Sequence, residues 1–220
     1  MFPLVALAVL LGLVSALPSP SPASDAALPP GFENPVNGGG SWLDDAGNGL
    51  GEPMNVVISS LSNSKVLSLD GLLNFARAIN FSTECLGIHL GAPQAANLGD
   101  GNGPVNQTIE IRQDFGNAAL GTCEETLVGG NHFRIFGPQA NSGAFFLAVS
   151  MEEDLAEQHT IATDGYNTGR DALVALATTG TPSFGDVTYS VTSQLLPGVM
   201  VDGSTGVNHG ASARLVSLLK

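Results

Sequence analysis

Basic residues are scarce in this sequence. Seven Lys and Arg stand against 20 Asp and Glu, so the formal net charge is −13. Binding to nucleic acid or to an anionic membrane surface requires clustered positive charge that neutralises phosphates. The composition therefore argues against both as partners, and it is typical of an acidic secreted protein that stays in solution through its charge.

Long apolar runs are absent after the first 16 residues. Residues 1–16 (MFPLVALAVLLGLVSA) are apolar without a basic residue, and Ser15 is flanked by Val14 and Ala16. A small residue at the last position after such a run predicts a signal peptide that is cleaved after Ala16. An uncleaved anchor is the alternative, but the run is shorter than the roughly 20 residues that span a bilayer. We therefore expect a secreted, extracellular protein with no membrane span in the mature chain.

The next segment has few large apolar residues. Residues 17–53 are rich in Pro, Ser, Gly, Ala and Asn, and such a segment buries too little apolar surface to offset the entropy of ordering it. We predict a flexible leader, with Trp42, the single tryptophan, as the residue that would attach its end to the domain. Removal of the leader as a pro-segment stays open. Residues 54–220 are then predicted to form one domain.

Cysteine is limited to Cys85 and Cys123. In an oxidising compartment this pair predicts one disulfide, which by loop length would stabilise the fold by roughly 4 kcal/mol. A catalytic thiol is the alternative, but it would leave the second cysteine free outside the cell. Two glycosylation sequons lie in or next to the same loop, at Asn80 and Asn106.

Hydrophobic periodicity predicts an α+β fold with a mixed sheet of about six strands and two main helices. Residues 131–136 alternate, with Phe133 and Ile135 on one face and His132 and Arg134 on the other. Residues 144–151 are apolar on both faces, as in a central strand. The helices are predicted from Ser68 or Asp70 to Ile79, and from an N-cap at Asn167 or Thr168 to near Gly180. Other strands are predicted at residues 54–61, 86–90, 105–113, 187–192 and 213–219.

Three short motifs resemble one known family. The segments NHFRIF, FFLAVSMEED and QHTIATDGYNTGRDAL, together with the opening NVVISSL, resemble the LssY C-terminal-like domain. Members of that family show paired histidines where this chain has Asn131-His132 and Gln158-His159. The chain is also similar over its length to uncharacterised secreted fungal proteins. The resemblance implies an α+β domain and no defined activity, and the reduced pairs weaken any role that needs two adjacent histidines.

The same stretch holds the residues most able to carry chemistry. His132, Arg134, His159, Asp164 and Arg170 lie on a strand, the following connection and the start of a helix, where they are expected to converge at one end of the sheet. Such a set can bind an anion or transfer a proton. The alternative is structural: Arg134 pairs with a carboxylate such as Glu110 or Asp171, and the histidines satisfy backbone groups.

Motifs that fix a cofactor or a reaction are missing. There is no Gly-x-Ser-x-Gly, Walker or dinucleotide-binding pattern, and no two histidines stand at a short zinc-ligand spacing. Zinc binding by His89, His132 and His159, and calcium binding by the loop at residues 99–103, are weak alternatives, so no metal or cofactor is predicted. We expect a non-catalytic binding domain for an extracellular ligand or protein. The alternative is a hydrolase that acts on an anionic or ester substrate.

Overall fold

The computed structural model describes residues 28–89, 92–200 and 213–219. Within these residues the chain forms three α-helices and eleven β-strands, together with short 3₁₀ turns. The helices are α1 (Leu69–Ala78), α2 (Gly121–Val128) and α3 (Gly165–Thr178). The strands are β1 (Val56–Ile58), β2 (Phe81–Thr83), β3 (Ala95–Asn97), β4 (Pro104–Asn106), β5 (Ile109–Gln113), β6 (Gly130–Phe136), β7 (Phe145–Glu152), β8 (Ser183–Phe184), β9 (Val187–Thr188), β10 (Ser190–Leu196) and β11 (Ala213–Leu219).

Seven of the described strands form one mixed sheet in the order β10-β11-β1-β7-β6-β5-β2. Only the β1–β11 pair is parallel among these neighbours. Strand β7 lies in the middle of the sheet, as its two apolar faces predict. The α+β class with a mixed sheet and one disulfide is therefore confirmed, with one strand and one helix more than expected.

The first face of the sheet packs against α1 and α3. Ser68 caps α1 by accepting a hydrogen bond from the backbone N–H of Gly71, which is the predicted start of that helix. Burying the apolar faces of both helices against the sheet supplies the larger core, because each buried aliphatic or aromatic side chain contributes roughly 1.5–3 kcal/mol. Its main members are Val56, Ile58, Leu72, Phe75, Phe133, Ile135, Leu147, Val149, Leu173, Val174 and Val216.

The second face is covered by residues 28–53 and by the β3–β4 hairpin. Trp42 is 4% exposed, and its indole meets Phe32 and Phe146 edge to face. Its Nε1–H donates to Asn34 Oδ1 at 2.9 Å. Residues 28–53, expected to be flexible, are therefore packed on the sheet where the structure describes them, because Phe32 and Trp42 supply the apolar area that the rest of the segment lacks. Residues 1–27, with the predicted signal peptide, lie outside the described residues.

Several predicted elements differ from those observed. Residues 86–89 do not form a strand: Cys85–Gly87 is a 3₁₀ turn, and the edge strand of the sheet is β2. The single strand predicted over residues 105–113 is divided into β4 and β5, since the two parts pair with different partners. Helix α2 was not predicted at all. Helix α3 begins at Gly165, earlier than Asn167 or Thr168, after Asp164 in a left-handed conformation.

Cys85 and Cys123 form the predicted disulfide, which ties the turn before His89 to α2. In the described part of the chain, no helix is both long and apolar enough to cross a membrane.

Candidate functional site

Charged side chains meet on the second face of the sheet, where β5 and β6 lie side by side. The pairing register places Glu110 opposite Arg134 and Arg112 opposite His132. Side chains directly opposite on antiparallel strands are in contact distance, and Glu110 forms an ion pair with Arg134 across the ladder at 3.3 Å. Glu52, Glu125 and Glu152 close around them. We call this set the ion network: Glu52, Glu110, Arg112, Glu125, His132, Arg134 and Glu152.

Arg112 is the central cation of the ion network. Its Nη1 donates to Glu125 at 3.1 Å and to Glu152 at 3.0 Å, and its Nη2 donates to Glu110 at 2.6 Å. Burial alone would lower the pKa of Arg112, but the carboxylates of Glu110, Glu125 and Glu152 outweigh it and raise the pKa above its usual value. The guanidinium therefore stays charged and holds three carboxylates from three different elements.

Arg134 decides the tautomer of His132. One guanidinium nitrogen, Nη1, lies 2.7 Å from Glu52 and 2.9 Å from His132 Nε2. Arginine is a donor only, so His132 Nε2 accepts and the ring proton is on Nδ1. Burial lowers the pKa of His132 well below its ordinary value, and the charges of Arg134 and Arg112 lower it further. His132 is thus a neutral imidazole whose Nε2 lone pair already accepts a hydrogen bond from Arg134.

Glu152 lies between the two histidines. Its Oε1 is 3.4 Å from His132 Nδ1, and its Oε2 is 3.7 Å from His159 Nδ1. Neither contact is a hydrogen bond, and both Nδ1 atoms lack a hydrogen-bond partner among the described residues. The His132 side chain is fully buried, whereas 25% of the His159 side chain is exposed. Of the two histidines, His159 is therefore the one that solvent reaches.

The ion network contains four carboxyl groups and two guanidinium groups. Burial raises the pKa of Glu125 to about 7, against the lowering effect of Arg112, and it also raises the pKa of Glu152. Asp44 lies beside the network: burial, with the nearby charge of Glu52, raises its pKa to about 7. Because Asp44 and Glu125 take up protons near neutral pH, the excess of negative over positive charge in this region is reduced.

The remaining predicted residues lie on α3. Asp164 precedes the helix, and its Oδ1 accepts from Asn167 Nδ2 at 3.1 Å. Arg170 donates to both carboxylate oxygens of Asp171, at 2.9 and 3.0 Å, and to Asn167 at 2.6 Å. The structure thus places His132 and His159 on either side of Glu152 and Arg134 against His132, while Asp164 and Arg170 contact their own helix. Arg134 pairs with Glu110, at 3.3 Å, as the structural alternative predicted.

Three acidic members of the site, Glu52, Glu125 and Glu152, have no counterpart among the residues predicted from the sequence, whereas Glu110 is predicted there as a possible partner of Arg134. Alternation along residues 109–113 places Glu110 and Arg112 on the polar face of their strand, but Glu110 is buried because residues 28–53 and α2 cover this face. The signal for them was present: Glu110 and Arg112 alternate on one strand as His132 and Arg134 do on the next. Glu52, Glu125 and Glu152 carried no such signal, since each reaches the cluster from a different element.

One cluster of side chains has the composition of a metal site. Among the described residues, Glu84, His89 and Glu110 offer ligand atoms that all lie within 4.8 Å of one another. Arg112 Nε is 3.8 Å from Glu84 and Arg112 Nη2 is 2.6 Å from Glu110. The guanidinium therefore already supplies the positive charge that a metal ion would bring. In the Gly-rich loop, Asp100 accepts hydrogen bonds from the backbone of Asn102 and Ala140, which makes it a turn residue.

Two cavities among the described residues lie away from the ion network. One is an open groove of about 500 Å³ between the C-terminal ends of α1 and α3, and the sequon residue Asn80 lies at its rim. The other is a small void inside the larger core.

Comparisons of the chain with protein-family models, with curated proteins and with solved structures found no match.

Proposed function

We propose that this protein is a secreted, N-glycosylated, extracellular binding domain without catalytic activity. The observation that carries the proposal is the state of His132, one of the two histidines predicted to transfer a proton. It is fully buried, and its Nε2 lone pair accepts from Arg134. A general base must reach the proton that it removes. His132 and Arg134 therefore serve to hold strands β5 and β6 to the elements that cover them.

Secretion is supported by the disulfide, because disulfides persist in oxidising compartments. Glycosylation is supported by exposure, since Asn80 and Asn106 both lie at the surface. We also propose that the domain is similar to the LssY C-terminal-like domain, a resemblance that implies no activity against a binding role.

A hydrolase is the second candidate, and one observation favours it. His159 is partly exposed and its Nδ1 faces Glu152, whose pKa is raised by burial. A histidine beside a carboxylate at a surface is an arrangement used in general acid–base catalysis. In this candidate the substrate would be an anion or an ester bound next to His159.

The test separates the two candidates on protein recovered from culture medium and purified without chelators. Wild type and His159→Ala are compared for hydrolysis of p-nitrophenyl acetate and p-nitrophenyl phosphate, with thermal melting as the folding control. We expect no turnover above the buffer rate in either protein. Turnover by the wild type that His159→Ala abolishes, at an unchanged melting temperature, would overturn the binding proposal in favour of the hydrolase.

The secretory part of the proposal has its own measurement. N-terminal sequencing of the recovered protein should begin at Leu17, and enzymatic removal of N-glycans should lower its mass by two glycans. Asn80→Gln and Asn106→Gln should each remove one of them. An intact Met1 together with two titratable thiols would contradict secretion.

A further inference from the structure

Helix α2 turns its polar face inward and its apolar face outward. Glu125 is fully buried against Arg112, and Thr122 is buried beside it. Leu120, Leu127 and Val128 are exposed by 59%, 61% and 58%. The spacing of i, i+7 and i+8 places these three on one side of the helix. A helix in a globular protein normally shows the opposite arrangement, so the outward face requires an explanation.

The inversion has a structural origin. Glu125 of α2 points into the protein, where it pairs with Arg112 at 3.1 Å. Once Glu125 points inward, helical geometry directs the residues on the opposite side to solvent. Polar residues are usual at such exposed positions, yet the chain has two leucines and a valine there.

Apolar side chains of two neighbouring segments are also exposed. The disulfide joins α2 to the turn that carries Leu86, which is 77% exposed, and Ile88, which is 57% exposed. At the other end of α2, Gly129 lies against the backbone of residues 152–154, next to Leu155, which is 54% exposed. We call these residues the α2 surface: Leu86, Ile88, Leu120, Leu127, Val128 and Leu155.

The exposed charged residues on the segments that build the α2 surface are acidic. Glu124 shares the outward side of α2, and Glu153, Asp154 and Glu157 are exposed beside Leu155. The segments that build the surface, residues 84–89, 115–130 and 153–157, contain no Lys or Arg. An apolar centre within an acidic rim is complementary to a surface that is apolar in the middle and basic at its edge.

We propose that the α2 surface is the docking site for a cationic, amphipathic helical segment of a partner protein. The proposal rests on the proposed binding function and names the chemistry of the partner. Leucine-like side chains of the partner would cover Leu127, Val128 and Leu120, and its Lys or Arg would pair with Glu124 and Glu157. A second copy of this chain fits less well, because two acidic rims would then face each other in a molecule of net charge −13.

The probe is a fluorescein-labelled helical peptide of about five turns, with Leu on one face and Lys on the other. A peptide in which Glu replaces Lys is the charge control. Binding to the secreted protein is measured by fluorescence anisotropy at physiological salt. We expect the Leu/Lys peptide to bind and the Leu/Glu peptide not to bind. The paired change Leu127→Ser and Val128→Ser should weaken binding by about tenfold or more, since apolar residues at the centre of an interface dominate affinity.

Leu61→Ser is the matched control, because Leu61 is 62% exposed and lies in the loop after β1. It should leave the affinity unchanged. Melting curves and the disulfide content check folding, and Leu120→Ser replaces the paired change if that variant does not fold. Equal affinity of wild type and α2 variants overturns the docking site while leaving the proposed function standing. A dimer in light scattering that the α2 changes dissociate overturns the partner and identifies a second copy as the occupant.

Discussion

At the residue scale, Arg112 is the group on which the second face of the sheet depends. It bonds Glu110 from its own strand, Glu125 from α2 and Glu152 from β7. Each of these carboxyl groups has little access to water, so without the guanidinium its charge would be buried without compensation. Breaking a buried ion pair by removing one partner is far more costly than deleting an exposed one.

Arg112→Gln should therefore lower the free energy of unfolding by about 3 kcal/mol at neutral pH, measured by urea denaturation. The loss should be smaller at acidic pH, because protonated Glu125 and Glu152 no longer need a cation. Arg77→Gln is the control, since the Arg77 guanidinium lies over the Phe184 ring at the surface, 5.5 Å from its centroid. That change should cost less than about 1 kcal/mol. Equal losses for the two variants would contradict the central role of Arg112.

At the element scale, α3 packs unusually close to the sheet. The helix backbone comes so near to β7 that a Cβ at Gly169 would be 2.7 Å from the backbone of Ser150 and Met151. Asn131 Nδ2 donates to the Gly169 carbonyl at 2.8 Å, and Asn55 Nδ2 donates to the Tyr166 carbonyl at 2.9 Å. These amide contacts fix the helix against the ends of β1 and β6.

Gly169→Ala should destabilise the protein by roughly 1–3 kcal/mol, because the added methyl group must push α3 away from β7. The sign of the effect is diagnostic. At an open helical position the same change stabilises by up to about 1 kcal/mol, since alanine is the better helix former. Thermal melting of the variant decides between these outcomes, and a raised melting temperature would contradict the close packing of α3.

At the scale of the whole molecule, the buried acid makes stability depend on pH. The pKa of Asp44 and of Glu125 is raised to about 7 in the folded state. In the unfolded chain both groups titrate near their ordinary values, around 4. Between these values the folded state binds more protons than the unfolded state, so the free energy of unfolding falls as pH rises.

The melting temperature should therefore be higher near pH 5 than near pH 8. The corresponding loss of stability is on the order of 2 kcal/mol after screening. Glu125→Gln, which mimics the protonated side chain, should reduce the difference between the two pH values. A melting temperature that rises from pH 5 to pH 8 in the wild type would show that Asp44 and Glu125 are ionised throughout.

The two faces of the central strands were predictable because period-2 alternation needs no tertiary information. Phe133 and Ile135 lie in one core, and Phe136 and Phe146 in the other, as the alternation indicates. The start of α1 followed from Ser68, whose side chain caps the helix locally. Helix α2 could not be found in this way. Its apolar residues point outward and its weak amphipathic pattern gives no helical signal, because Glu125 is turned inward by a contact with another element.

The sequence by itself determined the α+β class, the Cys85–Cys123 pairing and the side of β6 on which His132 and Arg134 lie. The class and the side of β6 follow from local periodicity, and the pairing follows because two cysteines can form only one disulfide within the chain. The tertiary structure alone decided that this side is buried, and that Glu52, Glu125 and Glu152 surround the two residues. The physical reason is that these carboxylates are far apart in the chain and meet only when it folds. Electrostatic pairing between distant residues produces no periodic pattern in the sequence.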